Sequence, residues 1–218
     1  MPCSVHAAKQ AIKYITHLTE SAPDTLLHNC WNSIKNTSAP GTWPRKFVDM
    51  CSVIGANHEN KVPGILAEFS SFFQKAWENF VTRPDGKLRT YSKFKPKLGL
   101  EKYLSDVKNI SHRHALCRLR TSSHTLLIER GRYARPLIPV EKRLCIKCNK
   151  VEDEHHFVME CSWYDNNRAT LFDTVKKFCH NFEGLSSFNK FIYLLSAEGE
   201  VSAAVAKFCF DSFDLRRC

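Results

Sequence analysis

CIKCNKVEDEHHFVMEC, residues 145–161, places four soft or borderline metal ligands within 17 residues. The spacing is Cys-X2-Cys-X7-His-X4-Cys, through Cys145, Cys148, His156 and Cys161. Three thiolates and an imidazole suit tetrahedral zinc. Four protein ligands leave no open position for water or substrate, so a single zinc ion here is expected to be structural, not catalytic. His155 competes with His156 for the third place. On an ideal helix the two lie about 240° and 140° around from Cys161. Geometry therefore leaves both open, and a helix carrying them must end or bend before Cys161. The acidic run Glu152, Asp153, Glu154 and the adjacent Phe157 suggest such a short helix. A thioredoxin-type reading of Cys-X2-Cys needs a βαβ setting, which the pattern does not offer. A zinc-deaminase reading needs His-X-Glu upstream and Pro-Cys-X2-Cys, and neither is present.

The chain leading into this stretch is strongly basic. Between Arg83 and Lys150 there are 18 Lys and Arg against 5 Asp and Glu, a net of +13, whereas the remainder carries 14 against 17. That asymmetry points to a polyanion partner, with a solvated basic face as the competing reading. The candidate phosphate contacts are Lys87, Arg89, Lys93, Lys95, Lys97, Arg113, Arg118, Arg120, Arg130, Arg132 and Arg135. Tyr91, Phe94 and Tyr133 are interleaved with them, placed either to stack on unpaired bases or to pack in a core. The expected partner is RNA or DNA, read with little sequence preference.

On both sides the apolar residues recur at helical spacing. Ala8, Ala11, Ile12, Ile15 and Leu18 form a first face. Leu27, Cys30, Trp31 and Ile34 form a second, with Asp24 as its cap. Pro44 opens a third helix with Phe47, Met50, Cys51 and Ile54. Pro63 opens the clearest, with Ile65, Phe69, Phe72, Phe73, Ala76 and Phe80. Residues 86–98 show no helical stripe. Short helices are expected around 100–107 and 112–120, and a brief extended segment at 126–128. After Cys161, Leu171, Val175 and Phe178 share a face. So do Phe188, Phe191, Ile192 and Leu195 behind a Ser186 or Ser187 cap, then Val201, Ala204, Val205, Phe208 and Leu215. The expected class is mainly α, with helical segments flanking a small CCHC zinc-binding module. Its expected parts are a helical segment 1–82, a basic region 83–140, the zinc module 141–165 and C-terminal helices 166–218.

The whole chain has 218 residues, enough for one full domain or two small ones. The uncharged runs fall far short of a bilayer span, so no membrane association is expected. The N-terminal lysines interrupt what a signal peptide would need, which points to an intracellular protein, nuclear or cytoplasmic. In that setting Cys3, Cys30, Cys51, Cys117, Cys179, Cys209 and Cys218 are expected to be reduced and mostly buried.

The run RLRTSSHTLLIERGRYARPLIPVEKRLCIKCNKVEDEHHFVMECSWY resembles the region downstream of the reverse transcriptase in non-LTR retrotransposon (LINE) polyproteins. Ser123, His124, Leu126, Ile128, Glu129, Gly131, Arg132 and Tyr133 fall in that family's order. Arg143, Cys145, Cys148, Glu152, Asp153, His156, Phe157 and Cys161 follow. The resemblance covers about residues 88–218, and it favours His156 over His155. It implies a nucleic-acid-binding tail that holds template RNA or target DNA near a polymerase. Departures bear on activity. No Asp-Asp pair exists, and no proline follows Pro139, so neither the polymerase motif nor the downstream nuclease signature is matched. No Gly-X-Ser-X-Gly or glycine-rich phosphate loop occurs either, and no catalytic residue is expected among Ser122, Ser123, His112, His114 and His124. The alternative is a protein-interaction or scaffolding module whose zinc only holds the fold.

Overall fold

A computed structural model describes residues 10–15, 17–18, 20–34, 41–56, 62–83 and 86–216. They are mainly helical, and their sole β-type pairing is one antiparallel bridge between Leu144 and Val151. No helix among them is long and apolar enough to cross a membrane. The chain divides into two compact units, Met1–Asn79 and Phe80–Cys218.

In the first unit, α1 (Leu26–Ile34) starts after Thr25, whose hydroxyl accepts from the His28 amide at 3.3 Å. The cap is thus Thr25 and not the expected Asp24, because the helix begins one residue later. Helix α2 (Trp43–Ile54) ends at Gly55, where φ is +74° and a side chain would be strained. The Ala56 amide then donates back to the Cys51 carbonyl at 2.8 Å. Helix α3 spans Val62–Val81. Ile12, Ile15, Phe47, Cys51, Ala56, Ile65 and Phe69 form this unit's core, drawn, Ala56 aside, from three of the four expected stripes. The remaining stripe, Leu27, Cys30, Trp31 and Ile34 on α1, buries none of its residues; Cys30 and Ile34 are exposed and Trp31 only packs at the core's edge. Phe80, at the end of the α3 stripe, is exposed. Ala8 lies outside the described residues.

The second unit opens with two single turns, α4 (Tyr91–Phe94) and α5 (Tyr103–Asp106), followed by α6 (Ile110–Arg120). The Asn109 side chain caps α6 by accepting from the Ser111 and His112 amides. Residues 126–128 were expected to be extended, but only Leu126 is. Leu127–Arg130 closes a helical turn, α7, with the Gly131 amide donating to the Leu127 carbonyl at 2.8 Å. A short apolar run carries no periodicity of its own, which is why the pattern misled. Helices α8 (Asp165–Lys176), α9 (Ser187–Ser196) and α10 (Gly199–Leu215) complete the unit. Ser186 caps α9, accepting from the Asn189 amide at 3.2 Å. Helix α10 is the hub, packed on α5, α6, α8 and α9 and burying Val201, Val205, Phe208, Cys209 and Phe213. Among the single cysteines, Cys51 and Cys209 are buried, Cys117 and Cys179 half-buried and Cys30 exposed, all as free thiols. Cys3 and Cys218 lie outside the described residues.

Candidate metal centre

The two paired cysteines sit on a hairpin. The Cys145 amide donates to the Lys150 carbonyl at 2.7 Å, and the Asn149 amide donates to the Cys145 carbonyl at 2.8 Å. Asn149 closes the turn with φ at +54°, a conformation that asparagine tolerates better than most residues. The histidine follows on a turn that the Asp153 carboxylate starts, accepting from the His156 amide at 2.7 Å. That turn, His156–Glu160, is a π turn. Its closing bond runs from the Cys161 amide to the His156 carbonyl at 2.8 Å. A π turn joins residues five apart, so His156 comes to lie beside Cys161 where an α-helix would separate them. The bend that the spacing demanded is this widened turn.

Cys145, Cys148, His156 and Cys161 consequently converge, with one ligand atom from each lying within 4.8 Å of the others. Cys161 Sγ is 3.8 Å from both Cys145 Sγ and Cys148 Sγ. Zinc–sulfur bonds of about 2.3 Å at a tetrahedral angle separate two sulfurs by about 3.8 Å. His156 is buried with no hydrogen bond to either ring nitrogen. An imidazole so placed lacks a partner that a metal would supply. The Glu160 carboxylate lies 3.7 Å from its Nδ1. His155 is engaged elsewhere: its Nε2 is 3.1 Å from Ser187 Oγ, and its ring meets Phe191 edge-on. Burial and the neighbouring thiols push the Cys161 thiol up to about 12. Burial acts the same way on Cys148, but hydrogen bonds with Ser162, Cys161 and Cys145 together outweigh it and hold that thiol below its ordinary value. Metal binding would displace these protons.

The acidic run beside the histidine faces inward. Glu152 accepts from the Leu127 amide at 2.7 Å and from both terminal nitrogens of Arg216, just past α10. Glu154 is buried and accepts from Arg89 and from the hydroxyls of Ser122 and Thr90. His124 Nε2 stands 2.9 Å from it. Burial alone would raise the Glu154 carboxyl, but His124 and Arg89 overcome it and hold the group at about 2. Phe157 is fully buried, stacked on Phe213 at 4.7 Å and edge-on to Phe208 and Tyr164. Arg168 of α8 donates to the carbonyls of Val158 and Cys161 at 2.8 and 2.6 Å. The metal module is therefore fastened into the helical core at several points.

The basic candidates divide into two groups. Arg89 is spent on Glu129 and Glu154, and Lys95 lies 3.6 Å from Glu101. Arg120 is only 4% exposed. It donates to Glu101 and to the Leu195 carbonyl, and lies over the rings of Phe94 and Tyr103. Arg113 and Arg118 donate to the carbonyls of Leu104 and Ser123. Arg132 faces Glu129 at 3.8 Å. Lys87 bonds the Ser123 hydroxyl from an exposed position, and exposed Lys93 lies over the Phe188 ring. Lys97, Arg130 and Arg135 are exposed with no ion pair among the described residues. Of the aromatics, Phe94 is in the core, Tyr91 bonds Glu101, and Tyr133 is 69% exposed. Exposed Lys142 and Lys147 join the outward group, although the sequence reading did not single them out. It named Glu129, Glu152 and Glu154 only within an acidic run or a motif and did not place them in the interior; a carboxylate's charge marks it for the surface unless its partners are known. No protein-family model, curated protein or solved structure matches the chain.

Proposed function

We propose that the second unit is a zinc-stabilised nucleic-acid-binding module, with one structural zinc held by Cys145, Cys148, His156 and Cys161. The zinc supplies a cross-link worth on the order of 10–16 kcal/mol of apparent binding energy at neutral pH. It tethers the hairpin to the π turn and has no open position for chemistry. The observation that carries the binding role is the division of charge around this site. Arg89 and Arg216 are consumed by the buried carboxylates Glu129, Glu154 and Glu152, whereas Arg130, Arg135, Lys142 and Lys147 stand exposed along the segment 130–147 that runs into the metal hairpin. Exposed cations gathered on one segment gain from releasing the counterions of a phosphate backbone. The resemblance to the tail of LINE polyproteins is consistent with the same role.

Two measurements test the reading. Elemental analysis should give one zinc per chain, retained in His155→Ala and lost in His156→Ala; the reverse pattern would change the ligand assignment. Binding to RNA or DNA should weaken with salt, at a log–log slope of roughly −3.5 on single strands if five phosphates are neutralised. Reversing Arg130, Arg135 and Lys142 together to Glu should flatten that slope on all sequences alike. Arg132 is left out because a carboxylate there would face Glu129. Reversal of Lys176 and Lys177, the last residue of α8 and the one just past it, serves as the control. Affinity that survives the triple reversal would show that the basic segment is only a solvated face.

A further inference from the structure

The segment from Arg130 to Lys147 exposes apolar side chains as well as cations. Tyr133 is 69%, Leu137 63% and Ile146 81% exposed, the last between the two cysteines of the hairpin. Arg130, Arg135, Lys142 and Lys147 alternate with them along the chain, and Glu141 is the only exposed acid among them. These positions are held outward by a fixed floor. The Ile138 amide donates to the Gly131 carbonyl at 3.1 Å, closing the loop that carries Tyr133 and Leu137. Buried Arg143 lies beneath, donating to the carbonyls of Ile138 and Ile128 at 2.8 and 2.6 Å. It packs so closely that a Cβ on Gly131 would lie 2.7 Å from its Nε. The hairpin bearing Ile146 is fixed at its base by the Leu144–Val151 bridge.

We infer that this segment is a binding surface for single-stranded nucleic acid, in which Tyr133, Leu137 and Ile146 cover unpaired bases while the interleaved cations meet phosphates. This rests on the nucleic-acid reading above and narrows it. A single strand alternates anionic phosphates with flat apolar faces, and the segment alternates cations with apolar groups. In a duplex the base faces are stacked on one another and offer nothing to the apolar side chains. Each exposed apolar residue then remains in water, and only the cations contribute. Base stacking on a protein side chain is sequence-tolerant, because every base has such a face.

The test uses the full zinc-loaded chain, an oligothymidylate of about 16 nucleotides and a duplex of equal length at the same salt. Tyr133→Ala and Ile146→Ser alter exposed side chains, and zinc content verifies that each variant is folded. Each substitution should weaken single-strand binding by about tenfold, leave duplex binding nearly unchanged and leave the salt slope as it was. If wild type binds both ligands and neither variant loses single-strand affinity, the base-covering role is overturned while the cation reading stands. If wild type binds neither ligand, both readings fall. Polyglutamate competition that matches the oligonucleotide, with the same dependence on Tyr133 and Ile146, would reassign the surface to an acidic protein partner and overturn the inference.

Discussion

Glu154 shows how a residue that reads as surface charge acts as an internal fastening. It draws Arg89, Thr90, Ser122 and His124 onto one buried carboxylate, joining the chain before α4, the end of α6 and the metal module. Ser122 adopts φ of +51° within this cluster. Removing the charge leaves half-buried Arg89 with Glu129 alone and takes the carboxylate from buried His124, so Glu154→Gln should cost about 1–3 kcal/mol in denaturant unfolding at pH 7. The pH dependence has a definite sign. The folded carboxyl sits at about 2, below the ordinary glutamate value near 4.3. Its contribution is therefore complete above about pH 4.3 and is lost as pH falls toward 2. Acid also protonates the candidate metal ligands, so the measured quantity is the difference between wild type and Glu154→Gln, which should shrink over that interval. The four metal ligands were legible at this scale because their spacing is itself the signal. The role of Glu154 was not, since its partners come from positions 30 to 65 residues away.

The hairpin and the π turn are the elements that turn a spacing into a site. Sequence periodicity required an interruption between His156 and Cys161 but did not specify its form. The i to i+5 bond is fixed by the way Phe157 and Val158 are drawn into the core and Arg168 takes up the Val158 and Cys161 carbonyls. Those contacts are tertiary, and a local pattern does not contain them. The helices were more legible, because α2, α6, α9 and α10 each bury a stripe that repeats at 3.6 residues. Within 126–128, the positions 127 and 128 were misread for want of such a repeat. On the hairpin, the left-handed conformation of Asn149 gives a direct test. A β-branched residue there meets the left-handed penalty of about 1–2 kcal/mol, whereas glycine meets none. Asn149→Val should therefore weaken zinc retention against a competing chelator by about tenfold, and Asn149→Gly should leave it close to wild type.

Across the whole molecule the two units have separate cores. Ile12, Phe47, Cys51, Ile65 and Phe69 belong to one. The other contains Leu116 and Leu119 of α6, Cys145, Phe157, Val158, Cys161 and Tyr164 of the metal module, and Leu171, Leu194, Val205, Phe208 and Phe213 from α8 to α10. Two of the metal ligands are thus themselves members of the helical core, and Glu152 ties the module to Arg216 beyond α10. The sequence marked the metal module and the helices on either side, but a 3.6-residue repeat names a buried face without naming what covers it. If the proposed zinc occupies this site, the shared core makes its removal a global event for the second unit. Without zinc, three thiols and an imidazole remain at the junction of hairpin and π turn, and the tether between those elements is gone. Phe157 then loses a constraint that holds it against Phe213, and burial of a phenylalanine side chain is worth about 1.5–3 kcal/mol. Chelation should therefore deprotect the amides of α6, α8, α9 and α10 together in hydrogen exchange. The amides of α2 and of the first turns of α3 should keep their protection, because no metal ligand contributes to their core. Deprotection confined to residues 144–162 would instead show that the zinc stabilises the hairpin and turn alone.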